Sequence, residues 1–439
     1  ASLRKLLEAG VTPDTADNQG VPAIAWAAFA GDADTIKTLL DRGAVVRNRN
    51  TLANQALLVY LTEGIRNHRS FDEVQAAVQP REEVVRKLVE AGANLNVQGS
   101  FRGTVLNRAI QLSPYGAQTY LSSASYFLSI ESIRLLITAG ADVNAPDVRG
   151  LTPLMLAAEK MSVALIKMLL EAGARYSINA KDNEGRTALM VAAERGHVET
   201  IKTLLEAGAA INAKDNTGKT ALMYTQGYMY SSSSSLDAGK CLIAAGASIN
   251  DVNAKRQTPL MLAAQRNYLE EVKMLLEVGA RASVNARDDQ GKTALMYVKS
   301  QPYNDASAEI IRSLVAAGAD VNAIDDDGET PLMLSLSLDF YYGNPMALIN
   351  EGARSSINKK DKHGRTALMF AAQSGDVRMI QMLLDVGASL NARDNKGQTA
   401  LTYAALGYSS RSDVIRFLVS AGLRVADEND DGQTALMLA

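Results

Sequence analysis

The sequence predicts an all-α solenoid of stacked helix–turn–helix units, and three observations predict it. A motif of the form T-[AP]-L-M, usually followed by an apolar residue and Ala-Ala, recurs along nearly the whole chain. With its Thr as a ruler the anchors fall at Pro22, Gln55, Thr104, Thr152, Thr187, Thr220, Thr258, Thr293, Thr330, Thr366, Thr399 and Thr434, spaced 33, 49, 48, 35, 33, 38, 35, 37, 36, 33 and 35 residues apart. A period in the thirties, kept through insertions, marks an array of like units rather than the several globular domains that 439 residues suggest by length. Most anchors are also followed by a second amphipathic stretch ending in Gly-Ala, as in IKTLLDRGA, VRKLVEAGA and IRLLITAGA.

Residues 181–213, KDNEGRTALMVAAERGHVETIKTLLEAGAAINA, show the unit at its most regular. Asp182 and Gly185 suit a tight turn, because Gly adopts the positive φ that other residues resist. Thr187 starts a short helix whose Ala192 and Ala193 admit a close neighbour, and Gly196 closes it. Val198, Ile201, Leu204 and Leu205 lie at helical spacing, giving the second helix one apolar stripe, and Gly208 stops it at C′. Two such helices cannot bury both faces alone, so stacking on similar units is required to complete the core.

These residues resemble the ankyrin repeat, a 33-residue unit with a T-P-L-H-x-A signature. Here the signature reads TPLMLAA at 152–158 and 258–264, TALMVAA at 187–193 and TALMFAA at 366–372. Met stands where the family usually has His, which implies apolar packing in place of the family's His hydrogen bond. The resemblance implies a single ankyrin-repeat solenoid over 1–439, with about eleven full repeats plus partial terminal units. Residues 1–150 read as divergent repeats with long insertions, 151–426 as regular repeats and 427–439 as a partial last repeat. Pro22 and Gln55 replace the anchor Thr, and Ala53 and Arg102 take the turn-glycine position.

Extra length falls at two places. In the Gln55, Thr104, Thr220, Thr293 and Thr399 units it lies between the helices. In the Thr152, Thr258 and Thr330 units it follows the second helix, in ARYSINA, ARASVNA and ARSSINK. Units that begin TPLM thus carry a longer return turn, as expected from duplication of two- or three-repeat blocks. Residues 1–10 supply only a second helix and 431–439 only a turn and a first helix, so the expectation is either a segment of a longer protein or minimal terminal caps.

Composition narrows the function classes. Hydrophobic residues make up 47% and suffice for a core, while a formal net charge of −3 lacks the basic footprint that nucleic-acid binding uses. The apolar run 21–30 is too short to span a membrane and reads as a first helix. The single Cys241 sits in a helical apolar stripe and is expected to be a buried small hydrophobe; nothing calls for an oxidising compartment. His68, His197 and His363 form no metal-ligand pattern, and His197 is expected to make a structural hydrogen bond in its turn. No nucleophile elbow, phosphate loop, dinucleotide fingerprint or EF-hand is present, so neither a cofactor, a metal nor an enzymatic activity is expected.

In the ankyrin family the return turns project as fingers and, with the first helices, line a protein-binding concave face. The resemblance places Lys181, Arg186 and Lys219 on such fingers, followed by Arg287 and Lys292, the acidic pair Asp326 and Asp327, then Lys362, His363, Arg365 and Lys396. Most fingers are net basic and the one at 324–329 is acidic, which favours a partner with an acidic strip and one basic spot. The interhelix insertions form a second candidate surface. They carry nine of the fifteen tyrosines, among them Tyr228, Tyr230, Tyr303, Tyr341, Tyr342 and Tyr408, in the Tyr, Ser, Gly and Asn composition of binding loops. The expected function is protein binding, with an enzyme or effector as the partner held inactive. The alternative is a targeting or structural segment of a larger multidomain protein.

Overall fold

The computed structural model describes residues 6–18, 22–29, 32–44, 83–96, 103–111, 113, 130–225, 232–299, 306–337, 344–407 and 411–438. Among them the protein is helical, with no strand and two isolated bridges, Ala16 to Pro22 and Glu428 to Thr434. The anchor of the Gln55 unit lies outside the described residues. The chain divides into two compact units, 1–247 and 248–439.

In the N-terminal unit the first helices Val105–Gln111, Pro153–Glu159, Ala188–Arg195 and Ala221–Tyr224 pack in succession. Each of the second helices Ile130–Thr138, Val163–Glu171, Val198–Glu206 and Ser232–Ala244 packs on the first helix of its own hairpin. The stripe read from the sequence is the core. Ile201 and Leu204 are fully buried, as are Leu189, Ala192 and Ala193 of the paired first helix. Each buried Leu or Ile contributes about 1.5–3 kcal/mol relative to exposure. The first-helix alanines allow the close approach, since a larger side chain there would separate neighbouring repeats.

The C-terminal unit repeats this with first helices Pro259–Gln265, Pro331–Leu336, Ala367–Ser374 and Ala400–Leu406, and a 3-10 turn, Ala294–Tyr297, in the Thr293 unit. Its second helices include Leu269–Glu277, Ser307–Ala316 and Val377–Asp385, with a shorter one at Pro345–Asn350. First helices are cut to four residues in the Thr220 and Thr293 units, both of which carry interhelix insertions. The Thr399 unit, with a shorter insertion, keeps seven.

The anchor Thr is the N-cap. Thr187 Oγ1 accepts the Met190 backbone N–H at 3.4 Å, while the Thr187 N–H points back at Met190 Sδ, 3.5 Å away. The same sulfur-closed box recurs at Thr258 and Met261. In the Thr399 unit the Thr402 hydroxyl replaces the sulfur, at 3.4 Å. Met at the signature position therefore packs and also serves as a weak acceptor for an orphan helix-end donor. His197 makes its expected structural bond, with Nδ1 accepting the Thr200 N–H at 3.3 Å as the next helix begins.

The longer return turns fold as 3-10 helices, Ala174–Ser177, Ala280–Ser283 and Ala353–Ser356, each entered through a glycine of positive φ. After them a recurring Asn ties one repeat to the next. Asn179 Oδ1 accepts from Ala210 N at 2.7 Å, Asn285 from Asp320 N at 2.8 Å and Asn358 from Ser389 N at 2.7 Å. Cys241 is half-buried rather than buried, because the core positions of its helix are the flanking Ala238 and Leu242. Burial still pushes its thiol pKa up.

Candidate protein-binding surface

Most described fingers are built around one buried Asp, replaced by Asn253 and Asn429 in two of them. Asp182 Oδ1 accepts the backbone N–H groups of Glu184 and Arg186 at 2.9 and 2.8 Å, and Asp215 does the same for Thr217 and Lys219 at 2.8 Å each. Asp288, Asp325, Asp361 and Asp394 repeat the pattern in the C-terminal unit. One short acceptor thus fixes four residues of turn, as Asx turns do.

The fingers are also bonded to one another. In the N-terminal unit Asn183 N donates to Arg149 O at 2.9 Å and Asn216 N to Glu184 O at 3.0 Å. In the C-terminal unit the bonds run from Asp289 N to Lys255 O, Asp326 N to Gln290 O, Lys362 N to Asp327 O, Asn395 N to His363 O and Asp430 N to Lys396 O. Gly185 shows why the tip needs glycine: its φ is +81° and an added Cβ would lie 2.4 Å from Asn216 Oδ1. At the corresponding position of its finger Arg256 holds φ at +58°, a left-handed conformation disfavoured outside Gly.

What satisfies the second carboxylate oxygen differs from finger to finger. Where Arg precedes the anchor Thr, its guanidinium does: Arg186 Nε lies 2.9 Å from Asp182 Oδ2 and Arg365 Nε 2.6 Å from Asp361 Oδ2. Where Lys or Gln stands there, a Tyr four residues after the anchor donates instead. Tyr224 bonds Asp215 at 2.7 Å, Tyr403 bonds Asp394 at 2.9 Å, and Tyr297 bonds Asp288. Burial first, then the bond to Asp288, pushes the Tyr297 phenol up to about 12. Burial works against ionised Asp215, but bonds from Tyr224, the Lys219 backbone and Thr217 outweigh it and hold the carboxyl below its ordinary value. These three tyrosines escape a reading of the insertions alone; the signal that reveals them is a Tyr four residues after the anchor Thr in units where Lys or Gln, not Arg, precedes it.

The residues singled out on the fingers fall into two groups. Most brace the structure. Lys181 Nζ donates to Lys214 O at 2.7 Å, Arg186 pairs with Asp182, Glu184 and Glu194, and Lys219 lies over the Tyr224 ring. Arg287 bonds Ile324 O and Asp326, Lys362 pairs with Asp327, and Arg365 joins Asp361 to Glu329 while stacking on Phe370. Lys292 draws the Asp325 and Asp327 carboxyls toward their ionised forms. The charges of the acidic finger are therefore largely matched within the protein. Burial nevertheless dominates at Asp325 and Glu329, whose carboxyl pKa values are raised.

The second group faces outward: His363 and Lys396 are exposed and have no side-chain bond among the described residues, as do Lys255 and Arg256. Tyr228, Tyr230, Tyr303, Tyr341, Tyr342 and Tyr408 lie outside the described residues. Among the described residues no group of His, Cys, Asp and Glu is placed to hold a metal ion, and no helix is long and apolar enough to cross a membrane.

Stacked helical hairpins with bonded, projecting turns define a repeat protein that works by presenting surface. Family models described as ankyrin repeats match residues 74–180, 119–215, 174–227 and 300–394, and a second such model matches 242–298. The chain belongs to the ankyrin-repeat family, whose members bind other proteins. It is similar to the NF-kappa-B inhibitor zeta of Bos taurus, with 29% identity over 185 residues, 42% of this chain and 25% of that protein. The match thus spans a quarter of the relative's length.

Proposed function

We propose that this chain binds a protein partner through its fingertips and first-helix face, and that the partner is an enzyme or effector held inactive in the complex. The observation that carries the reading is the finger-to-finger backbone bonding. Turns fixed by their own Asp and tied to their neighbours lose little further entropy on association, so exposed tips are preorganised for contact. Most finger cations are engaged internally, which leaves Lys255, Arg256 and Lys396 as outward cations, with the His363 ring beside them, and favours acidic patches on the partner. The tyrosine-bearing insertions with Tyr228, Tyr230, Tyr303, Tyr341, Tyr342 and Tyr408 are proposed as a second contact ridge. The inhibitory form of the reading is supported by similarity to a protein named as an inhibitor.

The test is affinity capture from native lysate, followed by direct titration of the identified partner. Replacing Lys255, His363 and Lys396 together by Ala is expected to weaken binding while leaving the unfolding midpoint in place; so is replacing Tyr228, Tyr230, Tyr303 and Tyr408 together by Ala. Unchanged affinity in both variants sinks the surface assignment. A complex in which the partner keeps full activity sinks inhibition alone. A second reading, a targeting or structural segment of a larger protein, is favoured by the match covering only a quarter of the bovine relative.

A further inference from the structure

A groove of about 480 Å³ opens between second helices of the C-terminal unit, a volume within the range of ligand pockets. Its walls are Pro345–Asn350, the 3-10 turn Ala353–Ser356, Val377–Asp385 and Arg411–Ser420, and every residue that lines it is described. Ile349 is buried at its base, Met346 is 48% exposed, and Met382, Val386 and Phe417 are half-buried along it.

One residue explains why the groove lies here. Aligned on the closing Gly-Ala, the regular helix Val198–Glu206 has Ile201 where this unit has Pro345. Pro345 is the first helical residue, and Asn344 caps it, with Oδ1 accepting the Ala347 N–H at 3.1 Å. Pro suits the first turn of a helix but not its interior. The helix therefore has six residues, where Val163–Glu171 and Leu269–Glu277 have nine. Those two helices are followed by the same kind of 3-10 turn, yet each packs closely on the next second helix. Pro345–Asn350 and Val377–Asp385 lack that close packing, so part of the longer helix stays uncovered.

The charges around the groove are not matched within it. Arg378, Met382 and Val386 follow at four-residue steps, so a cation opens the apolar row. Arg354 stands on the opposite wall, in the 3-10 turn. Both arginines are exposed, and neither side chain makes a hydrogen bond or ion pair among the described residues. The nearby carboxylates are engaged: Asp385 accepts from Gln381 Nε2 at 2.6 Å, and Asp376 caps the helix by accepting the Arg378 and Met379 backbone N–H groups. An apolar trough with an outward cation on each wall is complementary to apolar side chains flanked by carboxylates.

We propose that this groove takes a short segment of a protein partner in which apolar side chains are flanked by carboxylates. The apolar groups cover Met346, Met382 and Phe417, and the carboxylates pair with Arg354 and Arg378, whose planar donors suit them. The site goes beyond the fingertip reading and is tested separately from it.

The experiment titrates the full chain, by fluorescence anisotropy, with a labelled peptide whose Leu-Leu-Phe core lies between Glu residues. The peptide is expected to bind, more weakly as salt rises. Arg354→Glu, Arg378→Glu and Met346→Ser should each weaken it by about tenfold, or about 1.4 kcal/mol. The two arginine variants should keep the wild-type unfolding midpoint, since those side chains are exposed and unbonded. Arg281→Glu, at the equivalent place in a turn whose second helices close up, should leave binding unchanged, as should the combined Ala variant of Lys255, His363 and Lys396. No binding by wild type, or equal binding by wild type and the groove variants, overturns the proposal. So does a Lys-flanked peptide that binds as tightly as the Glu-flanked one. Self-association of the free chain that Met346→Ser abolishes also overturns it, because a second copy is then the occupant. Peptide binding that holds while the fingertip variant keeps full affinity for a captured partner sinks the fingertip assignment and leaves this site standing.

Discussion

Tyr224→Phe isolates the device on which a finger depends. It removes one hydroxyl, 2.7 Å from Asp215 Oδ2, and leaves the ring in place beneath Lys219. A hydrogen bond to a charged acceptor is worth about 1.5–3 kcal/mol net. Thr217 Oγ1 remains 3.1 Å from the same oxygen and retains part of that, so the expected cost is about 1–2 kcal/mol. Asp215 holds the turn through the Thr217 and Lys219 amides, so those two amides should exchange with solvent about 5- to 30-fold faster. Hydrogen exchange on a peptide spanning 213–220 reads this directly.

The pH dependence gives a second check. Asp215 has a folded pKa below its ordinary 3.8, so its stabilisation is present above that value and is lost as pH falls through the folded pKa. Without the Tyr hydroxyl, burial still pushes the pKa up and one lowering bond is gone, so the variant's folded pKa climbs. The exchange difference between the two proteins should be full at neutral pH and narrow as pH falls through the variant's raised pKa. Unchanged exchange at neutral pH, or a difference that does not move with pH, refutes the reasoning.

Further substitutions probe the same surface. Arg365→Ala strips the partner from the fully buried Asp361 carboxylate and from Glu329; at 24% exposure of the Arg side chain it should destabilise the C-terminal unit by about 2–3 kcal/mol. Lys362→Ala breaks a pair more than half exposed on both sides, and chemical denaturation should show little change in stability. Gly208→Ala meets only the left-handed backbone penalty of about 1–2 kcal/mol, since no atom lies within 4 Å of the new Cβ. Gly185→Ala adds a collision with Asn216 and should cost distinctly more, with loss of protection at the Asn216 amide. Glu329→Gln should raise stability at neutral pH: the folded pKa lies above 4.5, so ionisation disfavours the fold there, and the gain should vanish below 4.5, where Glu is protonated in both states.

The fold was legible because repeat packing is local. Ala192, Ala193, Ile201, Leu204 and the glycines at 185, 196 and 208 each occupy the place that the 181–213 pattern assigns, and stacking needs only like neighbours. Charge on the fingers was less legible. Lys181 and Arg287 read as basic residues of the finger surface, yet both reach the next finger, 33 and 37 residues on. No local window contains such a partner.

The sequence by itself determined the architecture, since a repeated stripe, a Thr cap and a Gly stop recur in each regular unit and leave two helices one way to bury themselves. Tertiary structure alone decided which charges face outward. Stacking brings Arg365 to Glu329 and Arg195 to Glu159 across 36 residues each. It also buries Lys160 while leaving its counterpart Arg266 in solvent. Side-chain pairing between repeats depends on reach and burial in three dimensions, and the one-dimensional period carries neither.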